Sequence, residues 1–193
     1  MDKRNIKNLR IIRILLNTPD GSLTKYKIAK QADCSGPWVI EFLRKLEKNK
    51  LVKGTKLLNS DKIIDYYLET MPKLKYYDFY VNNPIELLKK SKLKYAITTY
   101  TAENYFTRQL FPTRYDTYID ENDIPKWKRL IMKEGLIGKG NFRLLATYDE
   151  KIFDESSEIK GTKIVSMPLL LIDLKREGGV CMESYFLLTK KDV

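Results

Sequence analysis

The stretch from Thr24 to Asn49 constrains the fold more than any other part of the chain, because two helix-forming patterns meet there across a turn of two residues. Thr24 is placed to cap a short helix over Lys25 to Ala32, with Tyr26, Ile28, Ala29 and Ala32 as its inner face. Asp33 and Cys34 make the turn. Ser35 caps the next helix, and Pro37 sits in its first turn, where a missing N–H costs nothing. That helix runs to about Asn49 with Val39, Phe42, Leu43 and Leu46 at i, i+3, i+4 and i+7, a single apolar stripe.

The flanking segments complete a pattern. Ile6 to Leu16 repeats its apolar residues with a helical period, and Asn17-Thr18-Pro19-Asp20-Gly21 stops it. After the third helix, Leu51-Val52-Lys53-Gly54 reads as the start of a strand, Asn59-Ser60-Asp61 as a polar turn, and Lys62 to Tyr67 as a returning strand. Helix, helix, tight turn, helix and hairpin follow one another in about 65 residues. On Leu23 to Ala29, Cys34 to Val39 and Leu43 to Val52 the sequence resembles the winged-helix transcription regulators. The resemblance implies a helix-turn-helix in which the helix opening at Ser35 reads double-stranded DNA and the hairpin is the wing.

With the apolar stripe turned inward, the other face of the third helix holds Gly36, Pro37, Trp38, Glu41, Arg44, Lys45 and Lys48 beside the cap Ser35. Residues at the start of a recognition helix meet base edges, and later basic residues meet phosphates. Trp38 is expected to offer its ring to a thymine methyl and its indole N–H to a base acceptor, with Arg44 and Lys45 on the backbone or a guanine. Lys25, Lys27 and Lys30 on the second helix, and Lys53, Lys56 and Lys62 around the wing, are placed to grip flanking phosphates.

Charge supports a polyanionic partner. The chain of 193 residues carries 36 Lys and Arg against 25 Asp and Glu, a net of +11. Residues 1–71 hold fifteen basic and eight acidic residues, a net of +7, while the remaining 122 hold twenty-one and seventeen, a net of +4. There is no histidine, so Ser-His-Asp and Cys-His catalysis and His-ligated metals are excluded. The longest apolar patch, Met167 to Leu174, is interrupted by Pro168 and Asp173 and cannot span a membrane. A charged N-terminus without an apolar stretch argues against secretion. Two cysteines, Cys34 and Cys181, lie in different halves, so no disulfide framework is expected and a cytoplasmic setting fits.

Met71-Pro72-Lys73 marks the expected boundary between a DNA-binding domain, 1–71, and a mixed α/β domain, 72–193, in an α+β protein. In the second half, helices are expected over Asn83 to Lys90, Thr101 to Leu110, Asp123 to Lys133, Pro168 to Lys175 and Val180 to Leu188. Strands are expected over Tyr95 to Thr99, Tyr115 to Ile119, Phe142 to Tyr148 and Lys163 to Ser166. Asp149, Asp154, Asp173 and Glu177 are the carboxylates that could hold Mg²⁺ for nucleotidyl or phosphoryl transfer, but their spacing matches no metal motif, and surface solvation and helix capping account for them. Gly138-Lys139-Gly140 lacks the Lys-Ser/Thr ending of a phosphate loop and reads as a turn. Tyr76, Tyr77, Tyr80, Tyr95, Tyr100 and Tyr105 read as core and interface packing rather than base-stacking platforms.

Three words in this half carry a second resemblance: Ala96 to Ala102, Phe142 to Asp149 and Ile164 to Leu170, followed by Asp173-Leu174, Gly178-Gly179 and Met182 to Leu188. Over about 95 residues the chain resembles the C-terminal domain of AbiEi-type antitoxins of type IV toxin–antitoxin and abortive-infection systems. What the resemblance implies is an antitoxin and autorepressor that binds promoter repeats, with a cognate nucleotidyltransferase toxin as partner and with neither enzymatic activity nor a cofactor. The rival readings are a metal-dependent nucleotidyl or phosphoryl transferase acting on nucleic acid, and a winged-helix module that docks only proteins.

Overall fold

The computed structural model describes residues 3–190. The chain divides into two compact units, residues 1–72 and 73–193, and is an α+β protein.

The first unit holds α1 (Lys3–Asn17), α2 (Lys25–Ala32), α3 (Gly36–Lys48), the short strands β1 (Val52–Lys53) and β2 (Lys56–Leu57), and α4 (Ser60–Thr70). Local chemistry sets each boundary. The Thr24 hydroxyl accepts from the Lys27 N–H and the Ser35 hydroxyl from the Trp38 N–H, each satisfying one of the free donors at a helix start. Asp33 takes a left-handed conformation, φ 54°, between the two helices. Beyond α3, Lys50 is also left-handed at φ 57°, with the Lys50 N–H on the Glu47 carbonyl and the Leu51 N–H on the Leu46 carbonyl. This pair of bonds is the Schellman closure, here with lysine in the position glycine usually fills.

The closure aims the chain into the hairpin. Its turn, Gly54-Thr55, is fixed by the Gly54 N–H donating to the Glu47 carboxylate at 2.6 Å. Two further bonds tie the hairpin to the α1–α2 loop: Leu57 N–H to the Pro19 carbonyl at 2.9 Å, and the Thr55 hydroxyl to the Gly21 carbonyl at 2.9 Å. Gly21 has φ +82°, and a Cβ there would stand 2.8 Å from the Lys56 Cβ. Only glycine fits both the backbone and the gap.

Two expectations fail in this unit. Lys62 to Tyr67 is not a returning strand but the body of α4, whose buried residues Ile63, Ile64 and Tyr67 repeat at helical spacing while Asn59 caps its start. The hairpin is correspondingly shorter, and Lys62 lies on α4 rather than on the hairpin. Tyr26 does not face inward. It points away from Ile28 across α2 and is 75% exposed.

The second unit is built on one mixed sheet. Its strands are β3 (Lys75–Val81), β4 (Tyr95–Thr98), β5 (Tyr115–Asp120), β6 (Gly135–Ile137), β7 (Phe142–Thr147), β8 (Ser157–Ile159) and β9 (Thr162–Ile164), in the order β6-β3-β7-β5-β4-β9-β8. β5 and β7 are parallel, as are β4 and β9; the other neighbours are antiparallel. The helices are α5 (Pro84–Lys90), α6 (Thr99–Phe106), α7 (Ile124–Ile131), α8 (Lys151–Asp154), α9 (Met167–Glu177) and α10 (Cys181–Lys190). Trp127 of α7, fully buried, meets Tyr95 edge-on at 6.4 Å on one face of the sheet. α9 lies on the other face over β4 and β5, where Asp173 bonds to Thr98 and Tyr118.

Several boundaries move. β4 passes straight into α6, whose first residue is Thr99 rather than Thr101; Thr99 is left-handed at φ 51°, unusual for a β-branched side chain. Its buried hydroxyl donates to Asp116, which pins the turn. The strands β3, β6 and β8 have no counterpart in the sequence-based reading.

α9 is anchored through a buried acidic side chain. Asp173 accepts the Thr98 hydroxyl at 2.6 Å and the Tyr118 hydroxyl at 2.9 Å, and pairs with the Arg176 guanidinium at 2.8 Å. Asp173 is fully buried, and burial pushes its carboxyl above the ordinary aspartate value although Arg176 and the Thr98 and Tyr118 hydroxyls oppose the shift. Asp173→Asn keeps the shape but removes the charge facing the Arg176 guanidinium, leaving it the Tyr118 hydroxyl at 3.1 Å. The expected cost is about 3–5 kcal/mol in urea unfolding of the second unit; an unchanged midpoint would mean the carboxylate does not anchor α9.

Candidate nucleic-acid interface

The candidate interface is built on α3. Val39, Phe42, Leu43 and Leu46 are buried, each worth roughly 1.5–3 kcal/mol on leaving water. That leaves Pro37, Glu41, Arg44 and Lys48 as an exposed stripe at i, i+4, i+7 and i+11, with Lys45 on its flank. Ser35 is exposed at the helix start and Gly36 half-exposed. Among the described residues, none of Arg44, Lys45 and Lys48 has a carboxylate within ion-pair distance. The Lys45 ammonium lies 5.9 Å from the Tyr66 ring, so it leans toward α4.

The supporting lysines divide into two groups. Lys25, Lys27 and Lys30 are exposed on α2 beside the exposed Tyr26, whose hydroxyl adds a donor of the kind used on phosphate oxygens. The sequence held the signal for Tyr26: it stands two residues before Ile28, and so across the helix from it. Lys53 and Lys56 are exposed on the hairpin strands, directly paired across them. Lys62 is exposed in the first turn of α4, close in sequence to the hairpin but outside it.

Trp38 departs from expectation. It is half-buried, and its indole N–H donates to the Asn8 side-chain oxygen of α1 at 2.9 Å, while the Lys7 ammonium lies 5.8 Å from its ring. The N–H assigned to a base acceptor is therefore already used in tying α3 to α1. What Trp38 leaves outward is part of its ring. Neither Asn8 nor Lys7 was singled out from sequence, because a contact thirty residues away leaves no trace in local spacing.

The four carboxylates of the transferase reading are not brought together. Asp173 is saturated by the donors described above. Glu177 accepts from Arg114 at 2.8 Å and from the Tyr100 hydroxyl at 3.2 Å, and although burial opposes it, these partners hold its carboxyl below the ordinary glutamate value. Asp154 is exposed and pairs with Lys151 at 3.1 Å, and Asp149 is buried beside α8, its side chain accepting the Lys151 N–H. No group of three or more acidic or cysteine side chains among the described residues is arranged to hold a metal ion. Cys34 and Cys181 are both free thiols; burial pushes the Cys181 thiol up to about 11. No described helix is long and apolar enough to cross a membrane.

No protein-family model matches the chain, and neither a curated protein nor a solved structure is significantly similar to it.

Removing the partner of the Trp38 indole tests its structural role. Asn8→Ala is expected to cost roughly 0.5–1.5 kcal/mol in urea unfolding and to shift Trp38 emission. Stability and emission both equal to the parent would return the indole N–H to the pool of free donors.

Proposed function

We propose that residues 1–71 are a winged helix-turn-helix that binds double-stranded DNA, with α3 as the reading helix and β1–β2 as the wing. The observation that carries this is the outward face of α3. Arg44, Lys45 and Lys48 are exposed and free of carboxylate partners on a helix whose opposite face is locked into the core. Unpaired cations on a rigid helix release condensed counterions on meeting phosphates, and lose little in conformational freedom. The α2 lysines with Tyr26, and Lys53 and Lys56 on the hairpin, extend the same charge to either side.

In the complex, Ser35, Gly36 and Pro37 at the start of α3 approach the base edges, and the Trp38 ring offers apolar contact rather than a hydrogen bond. Glu41 is placed to accept from a cytosine amine, and Arg44 to reach a guanine or the backbone. The protein is a sequence-specific transcription regulator on this reading, with no catalytic step of its own. The second unit carries the words that resemble AbiEi-type antitoxins on β4–α6, β7 and β9–α9, which supports autorepression of its own promoter and a nucleotidyltransferase toxin as partner.

Fluorescence-anisotropy titration of the full chain against a duplex from its own upstream region tests the proposal. Binding is expected to weaken linearly in log–log form as salt rises. If Arg44 reads a base, Arg44→Ala costs about 1–3 kcal/mol on the preferred sequence and relaxes specificity there; if it grips phosphate, affinity falls uniformly and the salt slope drops by about one. Absence of salt-dependent duplex binding near ~100 mM salt would falsify the DNA reading.

A further inference from the structure

The second unit carries a pocket that the DNA reading does not use. It has a volume of about 530 Å³, within the range of small-molecule sites, and lies where the end of α5, the start of β4, α8 and the β8–β9 hairpin converge. Its wall is mixed. Leu93 and Phe153, both half-buried, supply apolar surface, and Lys89, Lys92, Lys94 and Lys163 supply charge.

The charges do not cancel. Two carboxylates line the pocket, and each is already engaged: Glu158 with Lys163 at 3.1 Å, and Asp154 with Lys151 at 3.1 Å. Lys94 pairs with Glu150 at 3.7 Å, a long contact between two exposed groups. Lys89 and Lys92 have no carboxylate partner among the described residues. The pocket therefore presents two free ammonium groups beside apolar walls.

The hairpin turn lies beside one of them. Lys160 and Gly161 are both left-handed, at φ 53° and 75°, which is the two-residue turn that suits the twist of antiparallel strands. The Lys89 ammonium stands 3.7 Å from where a Gly161 side chain would begin, so the end of the α5 lysine lies against the turn, at the rim.

We propose that this pocket binds a nucleotide, its phosphates on Lys89 and Lys92 and its base against Phe153 and Leu93. A bare phosphate would leave most of the volume and all of the apolar wall unused. An uncharged aromatic ligand would leave both ammonium groups unpaired. The pocket lies wholly in the second unit, so failure of duplex binding by the first leaves this assignment standing, and the reverse also holds.

Isothermal titration of the full chain with ATP, pyrophosphate and adenosine tests the proposal. ATP is expected to bind saturably, and pyrophosphate and adenosine each more weakly. Lys89→Glu with Lys92→Glu should weaken ATP by at least about tenfold, because two charge-assisted contacts become repulsive. Both residues are exposed, so the double variant should keep the parent's thermal unfolding. Lys133→Glu with Lys139→Glu, an equal change of charge on exposed residues outside the pocket, should leave ATP binding nearly unchanged. The assignment is overturned by ATP that does not saturate in the millimolar range, by equal loss in the two double variants, or by pyrophosphate or adenosine binding as tightly as ATP.

Discussion

Val39, Phe42, Leu43 and Leu46 must leave water together, and that requirement fixes which side of α3 faces outward. Once the stripe is buried against the rest of the first unit, Glu41, Arg44 and Lys48 have only solvent to turn to. The Asn8–Trp38 bond and the Glu47–Gly54 bond then lock the helix at either end, to α1 and to the hairpin turn. A cationic face on a helix so held is pre-organised: little ordering remains to oppose binding of a charged partner. The proposed DNA interface depends on this division of one helix into a buried and a solvated side.

The second unit solves a different problem. Its sheet carries a cross-strand row in register, Asp78, Arg143, Asp116 and Thr98, whose Thr98 end lies against α9. Polar groups in such a place are tolerable only if each finds a partner. Arg143 pairs with Asp78 at 2.6 Å, Arg114 takes both oxygens of Asp116 and reaches Glu177, and Asp173 gathers Thr98, Tyr118 and Arg176. Of the carboxylates that could suggest metal chemistry in a sequence, Asp173 and Glu177 are therefore spent on holding α9 and β5 in place.

Much of the first unit could be read directly from the residues, because caps and stripes are local. Thr24 and Ser35 begin α2 and α3 where their side chains allow it, and Pro37 sits where it does least harm. The reading failed where local signals were ambiguous or absent. Lys62 to Tyr67 is too short to separate alternation from helical spacing by eye, although Ile63, Ile64 and Tyr67 settle it for a helix. β3 was hidden because large aromatic residues stand on both of its faces, Tyr76 and Tyr80 exposed and Phe79 buried, so the strand period is blurred. Of the interface, the exposed cations could be read from sequence, whereas the capture of the Trp38 indole by Asn8 could not.

The central claim is that duplex DNA is engaged by the outward face of α3 with the hairpin beside it. Amide chemical-shift mapping of the isotopically labelled full chain, titrated with duplex, tests it most directly. The account predicts shifts concentrated on Ser35 to Lys48, on Lys53 to Lys56 and on the start of α2, with the sheet of the second unit largely unmoved. Binding whose shifts fall on the second unit while α3 stays silent would contradict it.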